Sequence, residues 1–152
     1  MTSVTAFAPA TVSNVACGFD VLGFPLESPG DEVTATVAPA GVRIADILND
    51  GGRLPRDAAK NTAGVAVLAF LATIGERRGV SLTIKKGLPL SSGLGGSAAS
   101  AAAAVVATPA PKAAAACSAS CFALARVYYI SGNERRGAGR RGARRVEGEL
   151  VD

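Results

Sequence analysis

Eleven consecutive residues, Pro89-Leu90-Ser91-Ser92-Gly93-Leu94-Gly95-Gly96-Ser97-Ala98-Ala99, place three glycines and three serines directly ahead of an alanine-rich run that ends at Val105-Val106. The segment reads as a glycine-rich loop feeding a helix. Glycine permits positive φ and lets a ligand come close to the main chain. The first N–H groups of the helix lack internal partners and lie at the positive end of its dipole. Such a place binds phosphate, so the residues point to a nucleotide or another phosphorylated ligand. Two common phosphate motifs fit poorly. The Gly-x-x-x-x-Gly-Lys-Ser/Thr loop needs a lysine for the outer phosphates, and no lysine occurs between Lys86 and Lys112. The dinucleotide pattern Gly-x-Gly-x-x-Gly/Ala is met literally by Gly93, Gly95 and Ala98. It wants an acidic residue about 20 positions later for the ribose, and no Asp or Glu occurs between Glu76 and Glu134.

Other chemistries are narrowed by what the chain contains. It has 152 residues and no histidine, which removes Ser-His-Asp, Cys-His and His-metal arrangements. Cys117 and Cys121 have no second pair to complete a zinc site, and together with Cys17 they suggest a reducing compartment. The first basic residue is Arg43, so no signal peptide is expected, and the apolar run Gly64 to Gly75 is too short to span a bilayer. A cytoplasmic protein with no membrane partner is the expectation. The net charge of +4 is uneven. Up to Thr108 there are eight basic and eight acidic residues; beyond it there are eight basic and four acidic.

The elements that must position the loop follow from local pattern. Thr2 to Phe7 is β-prone, and Ala10 to Val15 continues as an extended or turn segment. Gly18, Gly23, Pro25, Pro29 and Gly30 punctuate a loop-rich stretch. Glu32 to Val37 alternates as a strand, Val42 to Ile47 reads as a short strand or a helical turn, and Asp50-Gly51-Gly52 is a loop. Asp57 is the expected N-cap of a helix running to about Ile74, with Val65, Leu68, Leu71 and Ile74 at helical spacing and Gly75 as the C-terminal cap. Ser81 to Lys85 alternates as a strand with Leu82 and Ile84 inward, and Lys85 and Lys86 read as its solvated end. The loop and a helix from Ser97 to Ala107 follow. The result is an α+β (mixed α/β) fold, with one domain over residues 1–108. An atypical Ala/Arg/Gly-rich tail over 109–152 is expected to be poorly ordered.

Pro89 to Ala99 resembles the loop of the GHMP kinases, Pro-x-x-x-Gly-Leu-Gly-Ser-Ser-Ala-Ala, with one change: Gly96 replaces the first serine of the pair. Ala8-Pro9-Ala10-Thr11-Val12-Ser13-Asn14-Val15-Ala16-Cys17-Gly18-Phe19-Asp20-Val21-Leu22-Gly23 resembles the first motif of homoserine kinases within that superfamily. The motif runs Pro-Ala-Thr, then Asn-Leu-Gly-Pro-Gly-Phe-Asp. Val15, Ala16 and Cys17 depart from it, while the Asn, Gly, Phe and Asp spacing is kept. The resemblance covers about residues 1–107 and implies a truncated GHMP kinase N-terminal domain of the ribosomal protein S5 domain 2-like fold. It implies transfer of the γ-phosphoryl group of ATP to the hydroxyl of L-homoserine in threonine biosynthesis, with ATP and Mg²⁺ as cofactors and a homodimer for the intact family. Pro89 to Ala99 would wrap the triphosphate, Ser97 would also help hold Mg²⁺, and Asn61 would lie near the adenine. Asn14 and Asp20 would contact the amino-acid substrate. No catalytic residue is identified. Plainer readings stand beside these: Asp20 as a turn former, Asn61 as a solvated helical residue, Ser97 as an N-cap.

The resemblance stops near Ala107. The family supplies a glutamate for Mg²⁺, a Ser-Gly and a His-x-Asp-Asn segment after its loop; here Arg126 and Val127 stand where a Gly-Glu pair is expected. The abrupt change of composition leads to the expectation that the reading frame is disturbed after Ala107 and that this chain has little kinase activity. Alternatives are another GHMP small-molecule kinase or a non-catalytic ATP-binding remnant. Nucleic-acid binding through Arg135 to Arg145 is disfavoured, because no aromatic residue lies among those arginines to stack bases.

Overall fold

The computed structural model describes residues 3–109 and 128–131. The elements are β1 (Ser3–Val15), β2 (Gly18–Ala38), β3 (Val42–Leu48), α1 (Thr62–Ile74), β4 (Gly79–Lys85), α2 (Gly96–Ala107) and β5 (Tyr128–Ser131). The fold is mixed α/β: one sheet of order β3-β4-β2-β1-β5 with two helices packed against it. β3 and β4 run parallel, joined through α1, and the other pairs are antiparallel.

The core follows from strand alternation. Ala6, Ala8 and Ala10 of β1, Val33 and Ala35 of β2, and Leu82 and Ile84 of β4 all face the helices. Successive side chains of a strand point to opposite faces, so every second residue shares one face. β3 breaks this rule. Its register against β4 slips between Ile44 and Asp46, and Ile44 and Ile47, three apart, are both buried. One extra residue in a strand turns the following side chains over. α2 buries Ala99, Ala103, Ala104 and Ala107, so its backbone lies close to an alanine-lined part of the sheet. The buried alanines of β1 and α2 meet at this seam.

Four sequence expectations change. β2 runs on through the stretch rich in glycine and proline. Pro9 pairs with Gly30 and Thr11 with Pro25, so Pro29 falls in a bulge between them, while Gly18, Gly23, Pro25 and Gly30 are paired within the ladder instead of ending the strand. The ladder of β1 keeps both sides of the bulge in one hairpin. Second, α1 begins at Thr62, not near Asp57. Asp57 instead caps a preceding turn, with its carboxylate accepting from the Ala59 amide at 3.0 Å. Asn61 is the N-cap of α1, and its Oδ1 accepts from the Ala63 amide at 3.0 Å. Third, α1 buries Ala63, Gly64, Val67 and Leu71, whereas Val65 and Leu68 are 47% and 40% exposed. Gly64 decides this. A Cβ there would lie 2.3 Å from the Ala58 carbonyl oxygen, so the glycine side is the one that packs closely. Fourth, Lys86 is buried; its partners are described below.

Beyond Thr108, Tyr128–Ser131 forms β5 and pairs with β1 from Phe7 to Val4. The sequence assigned no element there. Cys117, Cys121, the Arg135 to Arg145 run and the expected disorder or frame change of the tail lie outside the described residues.

Candidate functional site

The loop between β4 and α2 carries an alternating backbone. Ser91, Gly93 and Gly95 have φ of 63°, 73° and 71°, while Ser92 and Leu94 between them do not enter the left-handed region. Alternation of this kind curls the chain so that N–H groups converge, which is how anion-binding concavities are made. Gly95 is fixed twice over. It takes a left-handed φ, and a Cβ there would lie 2.3 Å from Thr11 Oγ1. The same strand residue tethers the loop, since the Thr11 amide donates to the Leu94 carbonyl at 3.1 Å. Gly96 is different, because a Cβ there would meet Lys86 Nζ at 3.5 Å, an ordinary contact. The position has room for a Cβ.

Gly95 caps α2 without any side-chain hydrogen bond, and the first turn holds no acidic residue. The amides of that turn have no intrahelical acceptor. α1 contrasts with this, because Asn61 caps its start. The uncapped end of α2 therefore keeps its donors and dipole for a ligand.

Loop and helix end open on a cleft of about 530 Å³, within the size range of small-molecule sites. Pro89 to Gly93 and Gly95 to Ala98 form one wall, Leu54, Pro55, Lys60, Asn61 and Thr62 the other, and Ile84, Lys86 and Ser100 the floor. Of the loop residues selected from sequence, Leu94 and Ala99 stay out of the cleft: Leu94 packs on the core and Ala99 is buried within it. Asn61 is buried, not solvated. Its Nδ2 donates to the Pro55 carbonyl at 3.0 Å while its Oδ1 caps α1, so it holds the far wall in place. Ser97 is exposed at the start of α2 and lines the cleft. Asn14 lies in β1 and Asp20 in β2, near the turn of the hairpin, and their side chains lie outside the described residues. Asn14 is three residues along β1 from the tethering Thr11, roughly 10 Å at strand rise.

Among the described cleft residues the ionisable groups are Lys60 and Lys86. Lys60 is exposed and reaches Asp57 only at 4.0 Å, so its charge is open to the cleft. Lys86 was missed from sequence. Its Nζ donates to Asp31 Oδ2, to Ser100 Oγ at 2.9 Å and to the Gly96 carbonyl at 3.1 Å. The signal was present: Leu82 and Ile84 face inward, and the same alternation carries on to Lys86. Asp31 and Ser100 gave no comparable sign, because they are remote in sequence. Among the described residues no group of three or more His, Cys, Asp or Glu gathers to hold a metal ion. Ser97, like Ser91 and Ser92, presents an exposed hydroxyl in the cleft, and it alone of the three sits on α2. That suits an ion which takes most of its ligands from phosphates and water, as Mg²⁺ does.

Residues 61–137 match the family model described as the GHMP kinases N terminal domain. The homoserine kinase of Chloroherpeton thalassium is 52% identical over 110 residues, covering 65% of this chain and 34% of that protein. That of Chlorobaculum tepidum is 51% identical with the same coverage. The crystal structure of homoserine kinase from Cytophaga hutchinsonii superposes with a TM-score of 0.68 at 52% identity, covering 70% of this chain and 34% of that one. The chain thus spans about a third of the length of the relatives it matches.

Proposed function

The chain belongs to the GHMP kinase family, and on that footing we propose that its cleft binds ATP and serves a homoserine kinase. The reaction moves the γ-phosphoryl group of ATP to the hydroxyl of L-homoserine, giving O-phospho-L-homoserine for threonine biosynthesis. Half identity to homoserine kinases supports this substrate over the other alcohols of the family. The observation that carries the reading is the uncapped end of α2 behind a loop of alternating left-handed residues, both opening on one cleft.

Phosphoryl transfer depends on positioning and on electrostatic stabilisation of the phosphates. The amides of Ser91 to Gly93 and of Gly95 to Ala98 would hold the triphosphate, and the exposed Lys60 ammonium would add positive charge at the opposite wall. Ser97 would give its hydroxyl to Mg²⁺. Mg²⁺ arriving with the nucleotide supplies charge neutralisation at the transferred group. Asn61 would act on the adenine side by keeping Pro55 and the start of α1 in place. Asp20 would pair with the homoserine ammonium and Asn14 would hydrogen-bond in the same pocket. Among the described residues no helix is long and apolar enough to cross a membrane, and action in the cytoplasm as a homodimer is part of the proposal. A second reading, ATP binding without turnover, is favoured by one feature: no carboxylate lines the described cleft.

The test is ligand-dependent stabilisation, since a ligand that binds only the folded state raises its melting temperature. Mg²⁺ and a non-hydrolysable ATP analogue are expected to raise Tm, and homoserine, not mevalonate or a hexose, to raise it further. A silent nucleotide, or a response to a different alcohol, would overturn the proposal.

A further inference from the structure

Beneath the glycine loop lies a closed polar cluster that the proposed phosphate contacts do not use. Asp31 is fully buried in β2, Lys86 follows β4, and Ser100 sits in the second turn of α2. Asp31 Oδ1 accepts from the amides of Gly87 and Leu88 at 3.0 and 3.1 Å. Its Oδ2 accepts from Lys86 Nζ and from the Ser100 hydroxyl, the latter at 2.6 Å. Lys86 spends its remaining donors on Ser100 Oγ and on the Gly96 carbonyl. An ammonium has three donors, and all three are used. The lysine nearest the loop is therefore committed to protein acceptors.

The contacts have a pattern. Gly87 and Leu88 are where the chain enters the loop, and Gly96 is where it leaves. One carboxylate holds the entry, the ammonium paired with it holds the exit, and Ser100 joins both. Lys86 is itself fixed to the sheet: its amide donates to the Leu48 carbonyl at 3.0 Å and its carbonyl accepts from Asn49 Nδ2 at 3.1 Å. A Cβ on Gly87 would lie 1.9 Å from the Gly30 carbonyl oxygen, so the loop entry also rests directly on the strand residue before Asp31.

We infer that Asp31, Lys86 and Ser100 form a buried brace that sets the distance between the two ends of the phosphate loop, making them positioning residues for nucleotide phosphates. The brace holds the loop's amides convergent before any ligand arrives, which lowers the ordering cost of binding. The inference rests on the ATP reading above for its purpose, but not for its mechanics.

Ser100→Ala and Lys86→Met in the 152-residue chain test it, with Ala104→Gly as a control that weakens the same helix outside the brace. Amide hydrogen exchange over residues 89–97 and the affinities for ATP and for adenosine are measured on each. With Ser100→Ala, loop exchange is expected to quicken and ATP affinity to fall about three- to tenfold, the scale of a lost hydrogen bond, while adenosine affinity holds. Ala104→Gly is expected to leave the ATP-to-adenosine ratio unchanged. Should Lys86→Met fail to fold, Ser100→Ala decides alone. An unchanged loop and ratio in Ser100→Ala, or a rise in exchange spread evenly over the sheet, overturns the brace. If the parent binds no ATP, the functional reading falls, and loop exchange still decides the brace.

Discussion

Gly95 carries two constraints at once, a left-handed φ of 71° and a neighbour, Thr11 Oγ1, that a Cβ would meet at 2.3 Å. Gly95→Ala is therefore expected to cost about 1–3 kcal/mol, the range for a residue forced into that backbone region, and to remove nucleotide-dependent stabilisation. Denaturant unfolding and a thermal shift with ATP check the two effects separately. Glu76 shows how a single charge ties stability to pH. The Arg78 guanidinium, hydrogen-bonded to it at 2.8 Å, and then the Arg78 amide bring its carboxyl from 4.5 down to about 2. A carboxyl depressed in the folded state favours folding above its ordinary value and loses that contribution as pH falls through the folded one. The Tm advantage of the parent over Glu76→Gln is thus expected to be constant above about pH 5 and to shrink steadily as pH falls towards about 2. A difference that does not shrink between about pH 5 and about pH 2 would show that the charge is not its source.

At the scale of elements, α1 was readable as a helix but not as to which side faces inward. Its residues are apolar nearly all round, so spacing alone allows several faces, and Val65 and Leu68 fit the heptad as well as Val67 and Leu71 do. Close approach at Gly64 chose between them. Leu71→Ala is expected to destabilise by about 2–4 kcal/mol, as for truncation of a buried leucine. Leu68→Gln is expected to stay within about 0.5 kcal/mol. Chemical denaturation of both variants checks the orientation, and equal losses would contradict it. The C-terminal end was legible to the residue. Gly75 has a φ of 65°, its amide reaches the Ala72 carbonyl and the Glu76 amide reaches Leu71, the pairing of a Schellman cap.

For the molecule as a whole, the glycine loop, its helix and the cleft are formed, while no carboxylate lines the described part of the cleft. This chain is expected to bind Mg²⁺ and ATP yet to release ADP in the presence of homoserine far more slowly than a full kinase of the usual 1–100 s⁻¹. A coupled ADP-release assay measures this, and turnover in that range would overturn the expectation.

The glycine loop, the helix behind it and the alternating strands were determined by sequence alone, because φ freedom, capping and period-two patterning are local properties. Asn14 and Asp20 were proposed the same way, as part of a contiguous motif. What only the tertiary structure decided is what meets across distance. Lys86 looked like a solvated strand end until β2 and α2 brought Asp31 and Ser100 against it. Asn61 reads from sequence as an adenine-side residue, with a solvated helical residue as the plainer alternative; the structure makes it the buried N-cap of α1, bonded to the Pro55 carbonyl. Asp57 looked like the cap of a helix that Asn61 starts. Asn61 and Asp57 have partners close in sequence, but both side chains could cap a turn there and local rules do not say which starts the helix. The partners of Lys86 lie 55 and 14 residues away, and its burial exists only once the sheet and helices have packed.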